Sequence, residues 1–331
     1  MPKFYLRGFA ENDRIAAVQL PGHRRFVQSV GDATVVNNFY TVEGHEDGDD
    51  TIEKALSGVE GATAAVFKTI REGTWPLSAN DRMVLGYFLA LQAMRVPAIR
   101  RTADHVARQM LRLQVGAGGK SGLRRRLERQ TGGEVADEVV ERLWEQATRP
   151  EGPPIQRAKV DHIQDMLDHA SGILKYIVGR PWSLVQFERR ALITSDAPIA
   201  LVGDPDEDPW RGVGYESAWG ITFPLTRRLG LLMSDITPLI EANFPVEKVH
   251  QGAADMVQPA TAKLEKFFNY HTVANASEWL FHHPEDERFV PEELPEPSPV
   301  NISVMGMDRE FDGEPWFGPA THIPQESDDS L

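Results

Sequence analysis

The chain contains no cysteine among its 331 residues. Without thiolates there is neither a disulfide framework nor a thiol nucleophile, and cysteine-ligated zinc modules are excluded. This absence suits a reducing cytosol, and a cytoplasmic location is the expectation. No run of about 18 apolar residues occurs, and the first residues lack a basic segment leading into an apolar one. Neither secretion nor a membrane is therefore expected. No internal repeat is found.

What is present is a 41% hydrophobic content, enough for a sizeable core. The net charge of −14 is unevenly spread. Glu285–Leu331 holds 13 acidic residues against 2 basic ones, so the tail carries most of the negative charge and the body is close to neutral. Within the body, Arg95–Arg129 has ten Lys or Arg against two acids, Asp104 and Glu128. A basic face can form there.

Alternating apolar residues bounded by turn signals predict strands at Arg14–Leu20, His23–Val30 and Thr34–Val42. Asp50 or Thr51 can cap a helix running to about Glu72, with Ile52, Leu56, Val59, Ala62, Val66 and Ile70 on one stripe. Ser78 caps a second helix carrying Met83, Val84, Tyr87, Phe88, Leu91 and Met94, which Pro97 should kink or break. Gly116–Gly122 reads as a flexible joint before a charged helical stretch over about Leu123–Ala147. After a break at Pro150–Pro154, Ile163, Met166, Leu167, Ala170, Ile173, Leu174 and Ile177 predict a third long helix closed by Gly179. Further strands are expected at Trp182–Glu188, Ala191–Thr194, Gly220–Leu225 and Leu229–Met233, and a last helix at about Pro259–Phe281. The fold class is α+β, with long helices packed on a small, mostly antiparallel sheet. Residues 1–284 read as one domain. Residues 285–331 read as a proline-rich, acidic tail, too poor in apolar surface to order itself.

Separated segments resemble the DUF4238 family of uncharacterised, mainly bacterial proteins. They are Pro2–Phe9, Asn38–Tyr40, Ile52 and Glu53 with Glu60, Gln92–Pro97 with Arg100, Trp182, Leu192–Ile199, Ile221–Leu225, and Asn269 with the helix through Ala276. Their order and spacing make the match far more specific than any one of them. Members commonly begin with a His-Tyr-x-Pro-like segment, whereas here Met1 precedes Pro2 directly. The resemblance implies a shared fold and imports no reaction.

The chemistry must come from residues. Gln92 and Arg95 are three apart on an otherwise apolar helix, so both polar heads can project together. A carboxylate from Glu53, Glu60 or Asp196, or else a bound phosphate or carboxylate, would satisfy the arginine. Ser195 and Asp196 end a strand, where a donor and a base or metal ligand can be displayed, or where both simply shape the turn before Pro198. A Ser-His-Asp triad would need His162, His169 or His271 brought in by the fold.

Glu53 and Glu60 lie about 10 Å apart along their helix. With Asp196 they could hold a divalent cation, and no other cofactor is implied. His162, Asp165 and His169 have metal-compatible chemistry but fall off the apolar stripe. His282 and His283 read as a loop. Gly116–Ser121 looks like the end of a phosphate-binding loop but fails, because Gln114 stands where its first glycine belongs and a helix precedes it.

The leading expectation is a polar pocket, lined by some of Arg7, Glu53, Glu60, Gln92, Arg95, Ser195, Asp196 and Asn269, that binds a small anionic ligand. Asp196 or Glu60 would act as the base if the protein is a hydrolase on nucleotides or nucleic acid. The alternative is a non-catalytic module binding nucleic acid or an acidic protein through Arg108, Arg112, Arg124, Arg125 and Arg126, with Arg129 beside them. Aromatics for base stacking are nearly absent from that stretch.

Overall fold

A computed structural model describes residues 1–33, 51–155, 157–206, 212–297 and 310–316. The strand expected over Thr34–Val42 and the side chain of Glu53 lie outside the described residues. Chain packing divides into two compact units, one of residues 1–99 and 158–299, the other of residues 100–157 and 300–331.

The first unit opens with a short helix α1 (Lys3–Leu6) and a hairpin of β1 (Arg14–Gln19) and β2 (Arg24–Ser29), followed by α2 (Val30–Ala33). Helix α3 (Thr51–Arg71) ends where Gly73 takes a left-handed φ of +90°. Helix α4 (Ala79–Met94) begins as expected: the Ser78 hydroxyl oxygen accepts the Asp81 N–H at 3.1 Å. It stops before Pro97, which starts α5 (Pro97–Thr131). Helix α7 (Lys159–Val178) is closed by Gly179.

Strands β3 (Trp182–Gln186), β4 (Thr194–Ser195), β5 (Ala200–Val202), β6 (Gly220–Thr226) and β7 (Leu229–Ser234) follow. Two one-turn helices, α8 (Thr237–Glu241) and α9 (Val246–His250), lead to β8 (Met256–Gln258), α10 (Ala262–Asn275) and β9 (Trp279–His282).

The strands form two sheets where one was expected, a four-stranded sheet in the order β2-β1-β9-β4 and a five-stranded sheet in the order β5-β6-β7-β3-β8. All pairings are antiparallel except β3 with β8. The last helix ends at Asn275, and Trp279–His282 pairs with β1 and β4 as a strand, so His282 is a buried strand residue and no loop.

The main core packs α3, α4 and α7 on the five-stranded sheet, with Tyr5, Phe9, Phe67, Phe88, Trp182 and Phe223 at its centre. Tyr5 stacks on Phe223 with ring centroids 5.1 Å apart, and its hydroxyl donates to the Pro224 carbonyl at 2.8 Å. Helix α4 is enclosed on most sides. Its burial therefore follows no single stripe, and Met83 is exposed while Leu85 and Leu89 are buried.

Two stretches of the expected disordered tail are packed. In residues 285–297, Asp286 accepts two bonds from Arg227 at 2.8 and 3.0 Å, and Val290 is buried with Val18, Leu20, Ile193, Val273, Ala276 and Leu280. Residues 310–316 lie on α5 in the second unit. That unit is a pair of helices, α5 beyond residue 99 and α6 (Asp137–Thr148). The expected joint at Gly116–Gly122 is helix with a kink at Gly119, where φ is +65°. The expected helix over Leu123–Ala147 is interrupted at Gly132, whose φ is +74°. Among the described residues no helix is long and apolar enough to cross a membrane.

Candidate functional site

Arg95 is the C-cap residue of α4, its N–H donating to the Leu91 carbonyl at 2.9 Å. Because Pro97 prevents the helix from continuing, the side chain stands at a helix end facing α3. There its guanidinium donates to Glu60 Oε1 at 2.9 Å, the two side chains being 15% and 27% exposed. This is the partner the spacing allows, and of the carboxylates considered Glu60 is the one shown paired.

One turn earlier on α4, Gln92 is 3% exposed, and its Nε2 has no hydrogen-bond partner among the described residues. A buried amide donor left unpaired costs about 1–3 kcal/mol. The Met1 amino group is buried at the same corner, and burial lowers its pKa to about 6. Arg95 acts in the same direction, while Glu60 and Asp196 oppose it, so all three charges lie within electrostatic reach of that amine.

Asp196 follows β4, and its carboxylate accepts the N–H groups of Ser277 and Glu278 at 2.9 Å each and of Trp279 at 3.2 Å. Three successive amides make a small anion nest, and here the anion is the protein's own. Burial raises the Asp196 pKa, with the three amides working against it and Glu278 adding to it. Its first task is thus to hold the connection between α10 and β9. Ser195 is fully buried and its hydroxyl oxygen accepts the Ala197 N–H at 3.2 Å, a turn-shaping role.

Asn269 is wholly committed. Its Oδ1 accepts the Ile193 N–H at 3.0 Å, and its Nδ2 donates to the Ala191 carbonyl at 3.1 Å and to Glu265 Oε1 at 2.8 Å. It pins the extended segment before β4 to α10 and has no donor left for a ligand. Arg7 donates to Asp13 at 2.8 Å on the surface, both side chains more than half exposed. Glu60, Gln92 and Arg95 thus lie at this corner, with Asp196 in electrostatic reach of the Met1 amine, while the bonds of Arg7 and Asn269 run to other parts of the fold.

The basic stretch divides likewise. Arg112 is buried, donating to the Thr148 carbonyl at 3.0 Å, and Arg124 bonds Asp137 and the Val135 carbonyl. Arg108 donates to the Asp104 carbonyl at 3.3 Å. Arg125 and Arg126 are exposed. Helix packing, which sequence spacing could not foresee, has turned Arg112 inward and tied Arg124 to Asp137 at the surface. Among the described residues no group of three or more histidine or acidic side chains is arranged to hold a metal ion.

One cluster escaped sequence reading. Arg82 and Asp255 form a fully buried ion pair, 1% and 0% exposed, with the guanidinium 3.9 Å from the Trp182 ring centre. Asp255 also accepts the Trp182 N–H at 2.8 Å, and Arg82 donates to the carbonyls of Val178 and Arg180. Burial pushes both groups toward their neutral forms, lowering Arg82 to about 10, while the pairing pulls each back. Nothing local announces a partnership between residues so distant in the chain.

No curated protein and no solved structure matches the chain. A family model described as protein of unknown function (DUF4238) matches residues 1–286, which include every site residue above, and the chain belongs to that family.

Proposed function

We propose that this protein binds a small anionic ligand, phosphate- or carboxylate-bearing, at the corner formed by Arg95, Gln92 and Glu60, with Glu60 holding the arginine until the ligand takes its place. The observation that carries this reading is the buried, unpartnered Gln92 Nε2 one helical turn from the guanidinium. An architectural ion pair accounts for Arg95 and Glu60 but leaves that donor unexplained. An anion bonded to both would pair it, and guanidinium with amide is a donor set suited to oxyanions.

If the activity is hydrolysis of a nucleotide or nucleic acid, Glu60 is the better base. It is released when the anion occupies Arg95, whereas Asp196 is engaged by three amides. A divalent cation arriving with a phosphate ligand would find the Glu60 carboxylate free at that moment. The nucleic-acid-binding alternative rests on Arg125 and Arg126, since Arg108, Arg112 and Arg124 have internal acceptors.

Thermal melting tests the reading, because a ligand of the native state raises its melting temperature. Inorganic phosphate or a nucleotide, with and without Mg²⁺, is expected to raise the Tm of the wild type and of Glu60→Gln. The shift should vanish in folded Gln92→Leu and Arg95→Ala. Absence of any shift in the wild type, with Arg95→Ala merely less stable, would leave the corner architectural.

A further inference from the structure

The kink of α5 holds a segment from the chain's own C-terminal region. Gly119 at φ +65° interrupts the helical ladder, and residues 310–316 meet the backbone there: the Lys120 N–H donates to the Gly313 carbonyl at 2.8 Å, and the Trp316 N–H donates to the Ala117 carbonyl at 2.9 Å. The two glycines make the notch. A Cβ on Gly116 would lie 2.1 Å from the Phe311 ring, and one on Gly119 would lie 2.6 Å from the Pro315 nitrogen. Any side chain at either position would evict the segment.

The occupant is shaped for the notch in turn. Phe311 and Trp316 stack with ring centres 5.7 Å apart, and the Arg112 guanidinium sits 4.9 Å from the Phe311 ring centre. Between the rings, Gly313 takes φ +97° and is buried, and the Asp312 carboxylate accepts the Glu314 N–H at 3.0 Å, closing a turn. Gly313 also lies against the alkyl chain of Lys120. The segment thus supplies two aromatic anchors, a left-handed glycine and a proline to the notch, while Asp312 and Glu314 stay exposed and the Lys120 ammonium bonds Glu141.

We propose that this notched face of α5 is a recognition groove for a peptide with the order aromatic-Asp-Gly-x-Pro-aromatic, and that residues 310–316 occupy it in cis in place of such a partner. The groove lies within the part of the chain matched by the family, whereas its occupant lies beyond residue 286. The contact is short and Trp316 keeps 38% of its surface exposed, so exchange breaks the two backbone bonds and lifts Phe311 from Arg112. A tethered occupant competes at an effective concentration on the order of millimolar, which sets the advantage an external peptide must overcome.

The test uses the full chain. A fluorescent peptide covering residues 308–318 is titrated against the wild type and against Phe311→Ser/Trp316→Ser, in which the groove is emptied. Binding one-to-one to the double variant, at least about tenfold tighter than to the wild type and abolished by adding Gly116→Val, is the expected result. No binding to a double variant of unchanged helical circular dichroism, or binding indifferent to Gly116→Val, overturns the proposal.

If the double variant does not fold, hydrogen exchange on the wild type decides. Lys120 and Trp316 amides that open about tenfold faster than the amides of α4 support a detachable occupant. Equal protection marks a permanent strap and overturns it.

Discussion

Arg82 is a guanidinium removed from water beside a carboxylate equally removed, with Trp182 covering its face. Each partner is tolerable only because the other is there. Removing one leaves an uncompensated buried charge, which typically costs about 3–5 kcal/mol. Asp255→Ala is accordingly expected to lower unfolding free energy by that amount in urea titrations. Arg82→Met in the same chain should restore part of it, because the orphaned charge is then gone.

His282 offers a pH handle at the same scale. Burial lowers its pKa, against the bond between its Nδ1 and the His283 carbonyl and the charges of Glu287 and Asp286, while Arg25 adds to the lowering. The unfolded chain therefore takes the proton first. Its contribution to stability is present above the ordinary histidine value of about 6.5 and declines as pH falls through it. Asp196 and Asp255, raised by burial, act in the opposite sense. Melting curves of wild type and His282→Gln between pH 7.5 and pH 5 on the order of half-unit steps should separate the two, the wild type losing more stability. Parallel curves would show that this imidazole is not responsible.

At the scale of elements, the close approach of α4 and α7 depends on a residue that helix propensity disfavours. A Cβ on Gly86 would stand 2.4 Å from Val178 Cγ1 and 3.3 Å from Leu174 Cδ1. Gly86→Ala should therefore destabilise by about 1–3 kcal/mol despite alanine's better propensity, because the two helices must separate. On α3, Gly61 has nothing within 4 Å among the described residues, and Gly61→Ala should stabilise by up to about 1 kcal/mol. Thermal melts of the pair with opposite signs would check the helix contact directly.

The same scale shows which signals were legible. Ser78 caps α4 and Pro97 ends it as expected, because capping and proline act within a few residues. The stripe of α3 is read less well: Thr63 and Phe67 are buried and Ala62 is exposed, since α1 and α4 cover a broader face than one periodic row. Trp279–His282 is too short to show alternation, so the local pattern extends the preceding helix into β9. Its strand state comes from pairing with β1 at the other end of the chain.

For the whole molecule, the sequence by itself determined the class of fold, the family, the bounds of α3, α4 and α7, the uneven charge and the pairing options open to Arg95. These depend on composition, on local hydrogen bonding and on periodicity, all of which are written in neighbouring residues. Only the tertiary structure decided that there are two sheets, that Asn269 and Asp196 bond main-chain groups, that Arg112 turns inward and that Arg124 pairs with Asp137. It also joined Arg82 to Asp255 and laid residues 310–316 in the notch of α5. A polar side chain's role depends on which distant groups desolvate it and which donors or acceptors they bring, and those partners are assembled by packing, across separations in the chain that no local pattern encodes.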